Sequence, residues 1–287
     1  LGVVSGGILP ARLTIASWLT PRSLLPSALA VNSTCFNLSR LVGPALAAGL
    51  LLVSSATVVF VCALAGFVAF AVALYLIRDT PRQGIVSNNT APVSTAQVMR
   101  DVMATPVIFG VVLLQLAQGV LIRPASELFP AYATTIFRGG ETALGLLNAA
   151  VGLGAVAGAL ALSKTREKRA ALVQIFGMST LFAISMLVFS MTHVLWLGLL
   201  LLFIYGMAMS SSNIAALAFV QLNTPSDRLG RVLSLYAIVF RVGPSLGAIL
   251  FGTLAEKTSL ELTGFAFSLI GLTLTIIIGA RIRQAVR

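Results

Sequence analysis

Charge is what this sequence has least of. Only 9% of its 287 residues are Asp, Glu, Lys or Arg, against about 25% in an ordinary soluble domain, so water is not its only solvent. Acids are scarcer than bases, eight against nineteen. There is one histidine, His193, in a short turn where it reads as a solvated side chain, and no set of nucleophile, base and orienting group accompanies it, which argues against an enzyme. The two cysteines, Cys35 and Cys62, lie in apolar runs without metal-ligand spacing; they read as small core residues, and neither a metal nor a cofactor is implied. A cleavable signal peptide is also missing. The opening "LGVVSGGILPARL" has no leading Met, no basic n-region and no cleavage site after a short apolar core, so the chain is expected to start inside a longer protein.

What is present is apolar length. Hydrophobic residues make up 58% of the chain, with a mean hydropathy of +1.01. Segments such as "VVFVCALAGFVAFAVALYLI" (58–77) are apolar on every side, unlike barrel strands, which alternate with period two. A spanning helix needs about 20 such residues. The expected class is an all-α polytopic membrane protein with eight complete spans, near 26–53, 58–77, 105–128, 142–163, 170–191, 195–221, 232–253 and 262–280, and the tail of another in 1–18.

The bases then set orientation. Counting alternate loops, fourteen Lys and Arg fall on one side and three (Arg123, Arg138, Lys257) on the other, while Arg40 and Arg241 lie within spans. The positive-inside rule puts the richer side, with the C-terminus, in the cytoplasm of an inner or plasma membrane. The net charge of +11 is thereby explained by topology; nucleic acid is not an expected partner, because the bases are spread over short loops rather than one soluble face. The polar segment 78–104, rich in Pro, Asn, Ser and Thr, reads as a cytoplasmic linker whose "STAQVMRDVM" opens at capping-box spacing and is expected to form a short amphipathic helix. It divides residues 1–77 from a bundle over 105–287. The Asn88–Thr90 sequon falls on the cytoplasmic side in this topology, where glycosylation is not expected.

The "VGP" of 42–44 recurs at 242–244, and "LTP" at 19–21 is matched by "NTP" at 223–225. Six spans separate the copies, so both run the same way through the membrane, as in transporters built from two parallel six-helix halves. The succession of "LTPRSLLPSALAVNSTCFNLSRLVGPALAAGLL", "LGLLNAAVGLGAVAGALAL" and "NTPSDRLGRVLSLYAIVFRVGPSLGAILFGTLAE" resembles the major facilitator superfamily, in the branch with enterobactin-exporter-like and macrolide-efflux-like secretion proteins. The resemblance implies an incomplete major facilitator fold running from the end of helix 4 through helix 12, with the earlier helices of the same protein missing. Two patterns depart from that branch: "SKTREKRA" lacks the Asp of the Gly-Asp-Arg signature, and "DRLGR" replaces an Arg-Gly-Arg triplet, which puts the cytoplasmic latch in doubt.

Polarity separates the spans. Lipid-facing helices must be nearly free of unsatisfied polar groups, as 58–77 and 262–280 are, whereas 105–128 carries Gln115, Gln118, Arg123 and Glu127, and 195–221 carries Tyr205, Asn213 and Gln221. Those two read as walls of a polar path; the resemblance makes them helices 7 and 10. Gln115, Gln118 and Asn213 are the candidate substrate contacts. Arg40 and Arg241 are expected to point inward, either meeting an anionic group or donating to carbonyls freed near a kink. Arg123 and Glu127, four residues apart, are expected to pair as an outer gate, with Glu127 the alternative coupling acid. Gly43 and Pro44, repeated as Gly243 and Pro244, are expected to kink their helices, to let neighbours approach, or both.

The function implied is secondary active export of an amphipathic small molecule across the bilayer by alternating access. If protons drive it, the coupling acid belongs to the missing first half, and the chain alone is not expected to transport. A lysophospholipid flippase or lipid-handling module, and an inactive structural paralogue, are the alternatives.

Overall fold

In a computed structural model, residues 54–76, 105–160 and 168–285 are described, with isolated positions between 20 and 43. Among the described residues there is no strand, and seven helices are long and apolar enough to cross a membrane. They are α1 (Ala56–Leu76), α2 (Pro106–Leu121), α3 (Gly140–Leu160), α4 (Lys168–Phe189), α5 (Leu195–Asn223), α6 (Ser226–Lys257) and α7 (Leu260–Ala285). The first expected span is described only at isolated helical positions, and the linker with its amphipathic helix lies outside the described residues.

Two boundaries differ from expectation, each for a local reason. The span expected over 105–128 continues to Ile136, but not as an α-helix: a 3-10 stretch Arg123–Leu128, one α turn Phe129–Ala131 and a π stretch Tyr132–Ile136 follow α2. Pro124 and Pro130 supply no backbone N–H, so the carbonyls four residues before them lose their α-helical partners and the winding changes. The segment closes with Arg138 in the left-handed region (φ 52) while the Gly139 N–H donates back to the Ala133 carbonyl at 2.9 Å, a helix-ending motif. At the other end of the chain, α6 begins at Ser226 rather than 232, directly after Pro225, because Ser-Asp-Arg suits a first turn protruding from the hydrocarbon.

Helices α2 to α7 pack together: α5 lies between α3 and α4, α4 against α7, and α2 against both α6 and α7. Hydrocarbon offers no hydrophobic drive for this, so close van der Waals approach has to hold it, and small residues sit at the crossings. On α3, Gly154 and Gly158 rest against the carbonyls of Phe203 and Met207, and Gly206 of α5 rests against that of Val151; a Cβ at any of the three would overlap the neighbouring backbone. Where α6 crosses α2, Gly247 lies on the Val120 carbonyl, the one that Pro124 leaves without an α-helical donor. A large apolar cluster including Phe129, Phe182, Phe189, Tyr205, Phe251 and Phe267 fills one end of the bundle. A second, with Val111, Leu114, Ile175, Phe219, Leu233 and Ile278, fills the other. By contrast, the α1 side chains from Thr57 to Leu76 are exposed apart from a half-buried Val59.

Candidate functional site

Between the two apolar clusters, three helices place polar side chains at one level. At 1.5 Å per residue, Gln115 is about 14 Å from the start of α2, Asn213 about 15 Å from the end of α5 and Tyr236 about 15 Å from the start of α6. Those three helix ends share one face of the bundle, because the chain reverses at each short connection. That level lies inside the apolar length of all three helices, within reach of a hydrocarbon core about 30 Å thick.

The groups meet. Gln115 Nε2 donates to the Asn213 Oδ1 at 3.2 Å and to the Tyr236 hydroxyl at 2.9 Å. The same Asn213 oxygen accepts from Arg123 Nη2 at 2.5 Å, and the Arg123 guanidinium carbon stands 4.3 Å from the centroid of the Phe240 ring. Tyr236 and Phe240, one turn apart on α6, stack at 6.3 Å and 18°. An amide thus cross-links α2, α5 and α6, and an aromatic face shields the cation. Arg123 is only 7% exposed and Gln115 and Gln118 are 1% exposed. Placing an Arg at such depth costs about 2.5–3.5 kcal/mol even on the lenient scale; one charge-assisted bond, typically about 1.5–3 kcal/mol, and one cation–π contact, about 0.5–2 kcal/mol, offset it.

Satisfaction is incomplete, however. Gln115 Oε1, Gln118 Nε2 and Arg123 Nε are buried with no hydrogen-bond partner among the described residues. Leaving such groups unmade costs about 1–3 kcal/mol each, more for a charged one, and buried orphans of this kind mark places where a ligand, ion or water belongs.

The structure brings together Gln115, Asn213 and Arg123, with Gln118 one turn along α2 from Gln115. The Arg123–Glu127 pair is not made: the guanidinium goes to Asn213, and Glu127 is exposed. Winding explains it. In an α-helix residues i and i+4 lie about 40° apart around the axis, but at three residues per turn they lie about 120° apart, so the 3-10 stretch turns Glu127 off the Arg123 face. Arg241 is exposed, outside the cluster, and its carbonyl accepts the Ser245 hydroxyl at 3.3 Å. α6 runs unbroken through Pro244; the proline ring and Gly243 face Gly119 of α2, at distances of 3.4–3.6 Å from where a Cβ on Gly119 would stand. Gly43 is helical and exposed, while Arg40 and Pro44 lie outside the described residues. Tyr236 and Phe240 were not singled out from sequence; their signal is an aromatic pair at i, i+4 in the α6 sequence, one with a hydroxyl.

A transporter-type bundle with a polar cluster at mid-depth is the class that fold and site define. The profile of the transmembrane secretion effector family matches residues 5–286, and the chain belongs to that family, within the major facilitator superfamily of transporters rather than to any enzyme family. It is similar to the enterobactin exporter EntS of Citrobacter koseri, with 30% identity over 202 residues covering 67% of this chain and 47% of that one. The corresponding exporter of Salmonella typhimurium is 30% identical over 196 residues, 64% of this chain and 46% of that one. The chain therefore spans about half the length of the curated relatives it matches. The fold matches the crystal structure of the human organic anion transporter MFSD10 (TETRAN) with a TM-score of 0.75 at 15% identity, over 96% of this chain and 68% of that one.

Proposed function

We propose that the chain is part of a secondary active transporter that exports an amphipathic small molecule from the cytoplasm. In this reading 1–77 belongs to an N-terminal bundle, 78–104 is a cytoplasmic linker and 105–287 is the C-terminal bundle, and the two bundles rock about a site at the midplane. The Lys- and Arg-rich face, with the C-terminus, lies in the cytoplasm of the inner membrane. The observation that carries the reading is the mid-depth cluster of Gln115, Gln118, Arg123 and Asn213, polar groups held in hydrocarbon with hydrogen-bonding capacity left over. Export is the direction named for the relatives of similar sequence. The proposed coupling ion is the proton.

The test is flux through the full-length gene product, carrying all its helices, in proteoliposomes with an imposed pH gradient. Gradient-dependent movement of enterobactin or of amphipathic drugs, lost in Asn213→Leu, is the expected result. Movement of a fluorescent lysophospholipid with no drug or siderophore flux would make the protein a lipid flippase instead, and no flux of any kind would remove the transport reading.

A further inference from the structure

The charge inventory of the chain is lopsided at depth. Arg40 and Arg241 fall within expected spans and Arg123 is buried near the end of one, whereas the eight acids are Asp79, Asp101, Glu127, Glu141, Glu167, Asp227, Glu256 and Glu261. Residues 1–78 contain no acid at all; Glu141, Asp227, Glu256 and Glu261 stand in the terminal turns of helices, and Asp79, Asp101 and Glu167 lie outside the described residues. Glu127 is exposed and rotated off the Arg123 face. No described carboxylate forms an ion pair with Arg123; its partners are the Asn213 oxygen and the Phe240 ring, both neutral. A guanidinium so buried normally has a carboxylate, because an uncompensated charge in a low-dielectric interior is the costliest arrangement a protein can hold.

Two buried donors, one on α2 and one just after it, are also unused. Arg123 keeps its Nε–H unpaired, and Gln118, 1% exposed, keeps its Nε2 unpaired. Phe240 and Tyr236 add an aromatic wall. A guanidinium edge with a spare N–H, a free amide donor and an aromatic surface recognise the same thing: an oxyanion attached to an apolar or aromatic body.

We infer that this cluster is an anion subsite: Arg123 and Gln118 bind a carboxylate or comparable oxyanion of the cargo at mid-depth, so the transported molecule is an anionic amphipath. The inference rests on the transport reading above for the word cargo, but the subsite itself is readable by binding alone. Asn213 holds the guanidinium in place through Nη2 and is a positioning residue. A carboxylate from helices outside this chain would be the other source of the same chemistry, and it would occupy the guanidinium in the resting protein.

The experiment uses the full-length protein in nanodiscs and a matched pair of fluorescent probes, dansyl-phenylalanine and dansyl-phenylalaninamide, which differ only in the carboxylate. The wild type is expected to bind the acid at least tenfold tighter than the amide. Arg123→Gln is expected to bring that ratio near one, and Arg123→Lys, which keeps the charge and guards against a folding defect in the first variant, to leave an intermediate ratio. Equal binding of both probes by the wild type, as an internal carboxylate would produce, overturns the proposal, as does binding of neither, or a preference that survives Arg123→Gln. Flux of the same probes separates the two readings: a carboxylate preference in binding with no transport of either probe leaves the subsite standing and sinks the exporter.

Discussion

Replacing Gly158 by Ala tests how this bundle is held together. The residue sits where α3 meets α5, and the position its Cβ would take overlaps the Met207 carbonyl, with the Met207 Cα at 2.9 Å. Ordinary carbon–oxygen contacts run about 3.3–3.6 Å, so one methyl forces the helix axes apart by on the order of 1 Å. Nothing flexible is available to yield, because the atoms in the way are backbone. Gly154 and Gly206 make the same kind of contact to Phe203 and Val151, and separation at one crossing loosens all three. Overpacking of this kind costs about 1–3 kcal/mol. Gly177 is the internal control: it is also in a helix, α4, and a Cβ there meets nothing within 4 Å. Ala at that position gains helix propensity, about 0.8–1.0 kcal/mol. Gly158→Ala gains the same propensity within α3, so the two substitutions, chemically identical, should differ by the overpacking cost alone, about 1–3 kcal/mol. At about 2–4 °C per kcal/mol for a bundle of this size, thermal unfolding of the detergent-solubilised full-length protein, followed by fluorescence size exclusion, should place Gly158→Ala at least about 2 °C below Gly177→Ala. Equal melting temperatures, or Gly177→Ala the lower, would refute backbone contact as what joins α3 to α5.

Other consequences are smaller and as specific. Gly243→Ala should be tolerated, because its Cβ would stand 3.5 Å from Gly119, whereas Gly247→Ala should destabilise by about 1–3 kcal/mol by striking the Val120 carbonyl and the Pro124 ring, measured in the same melts. Asn213→Leu removes the only hydrogen-bond acceptor that Arg123 has among the described residues and should cost about 1–3 kcal/mol; a double-mutant cycle with Arg123→Gln should show coupling, and strict additivity would contradict the bond. Arg138→Gly should stabilise by about 0.5–1 kcal/mol, since a left-handed φ of 52 suits glycine better than arginine.

The helices were legible because bilayer thickness imposes their length: each span of the described region was expected from apolar run length and found, with ends within five residues except at Ile136 and at the start of α6. The polar positions were legible for a related reason, since Gln115, Gln118, Arg123 and Asn213 stand out in hydrocarbon-length runs. Partner choice was not. Reading Arg123 and Glu127 as neighbours assumed α-helical winding, and Pro124 changes the winding in the very residues between them. Nor can spacing along one helix show that Asn213, 90 residues away, presents its oxygen to Arg123, or that Tyr236 and Phe240 come round α6 to the same point. Those are tertiary facts, fixed by the glycine crossings that set how close α2 and α6 stand and which faces they share. The Gly-Pro repeat illustrates the same limit, for the motif marks a close approach without saying that Gly247, one turn beyond it, is the residue with no room for a side chain.

The central claim is that the mid-depth cluster borders a water-accessible path while the outer apolar faces meet lipid, and cysteine accessibility tests it most directly. With every native cysteine of the full-length protein, Cys35 and Cys62 among them, replaced by Ser, Asn213→Cys and Ile276→Cys would be exposed in membranes to a charged, lipid-impermeant thiol reagent. Ile276, 57% exposed on α7, should resist modification, and half-buried Asn213 should react at least tenfold faster. Rapid reaction at Ile276 with an inert Asn213 would contradict the account.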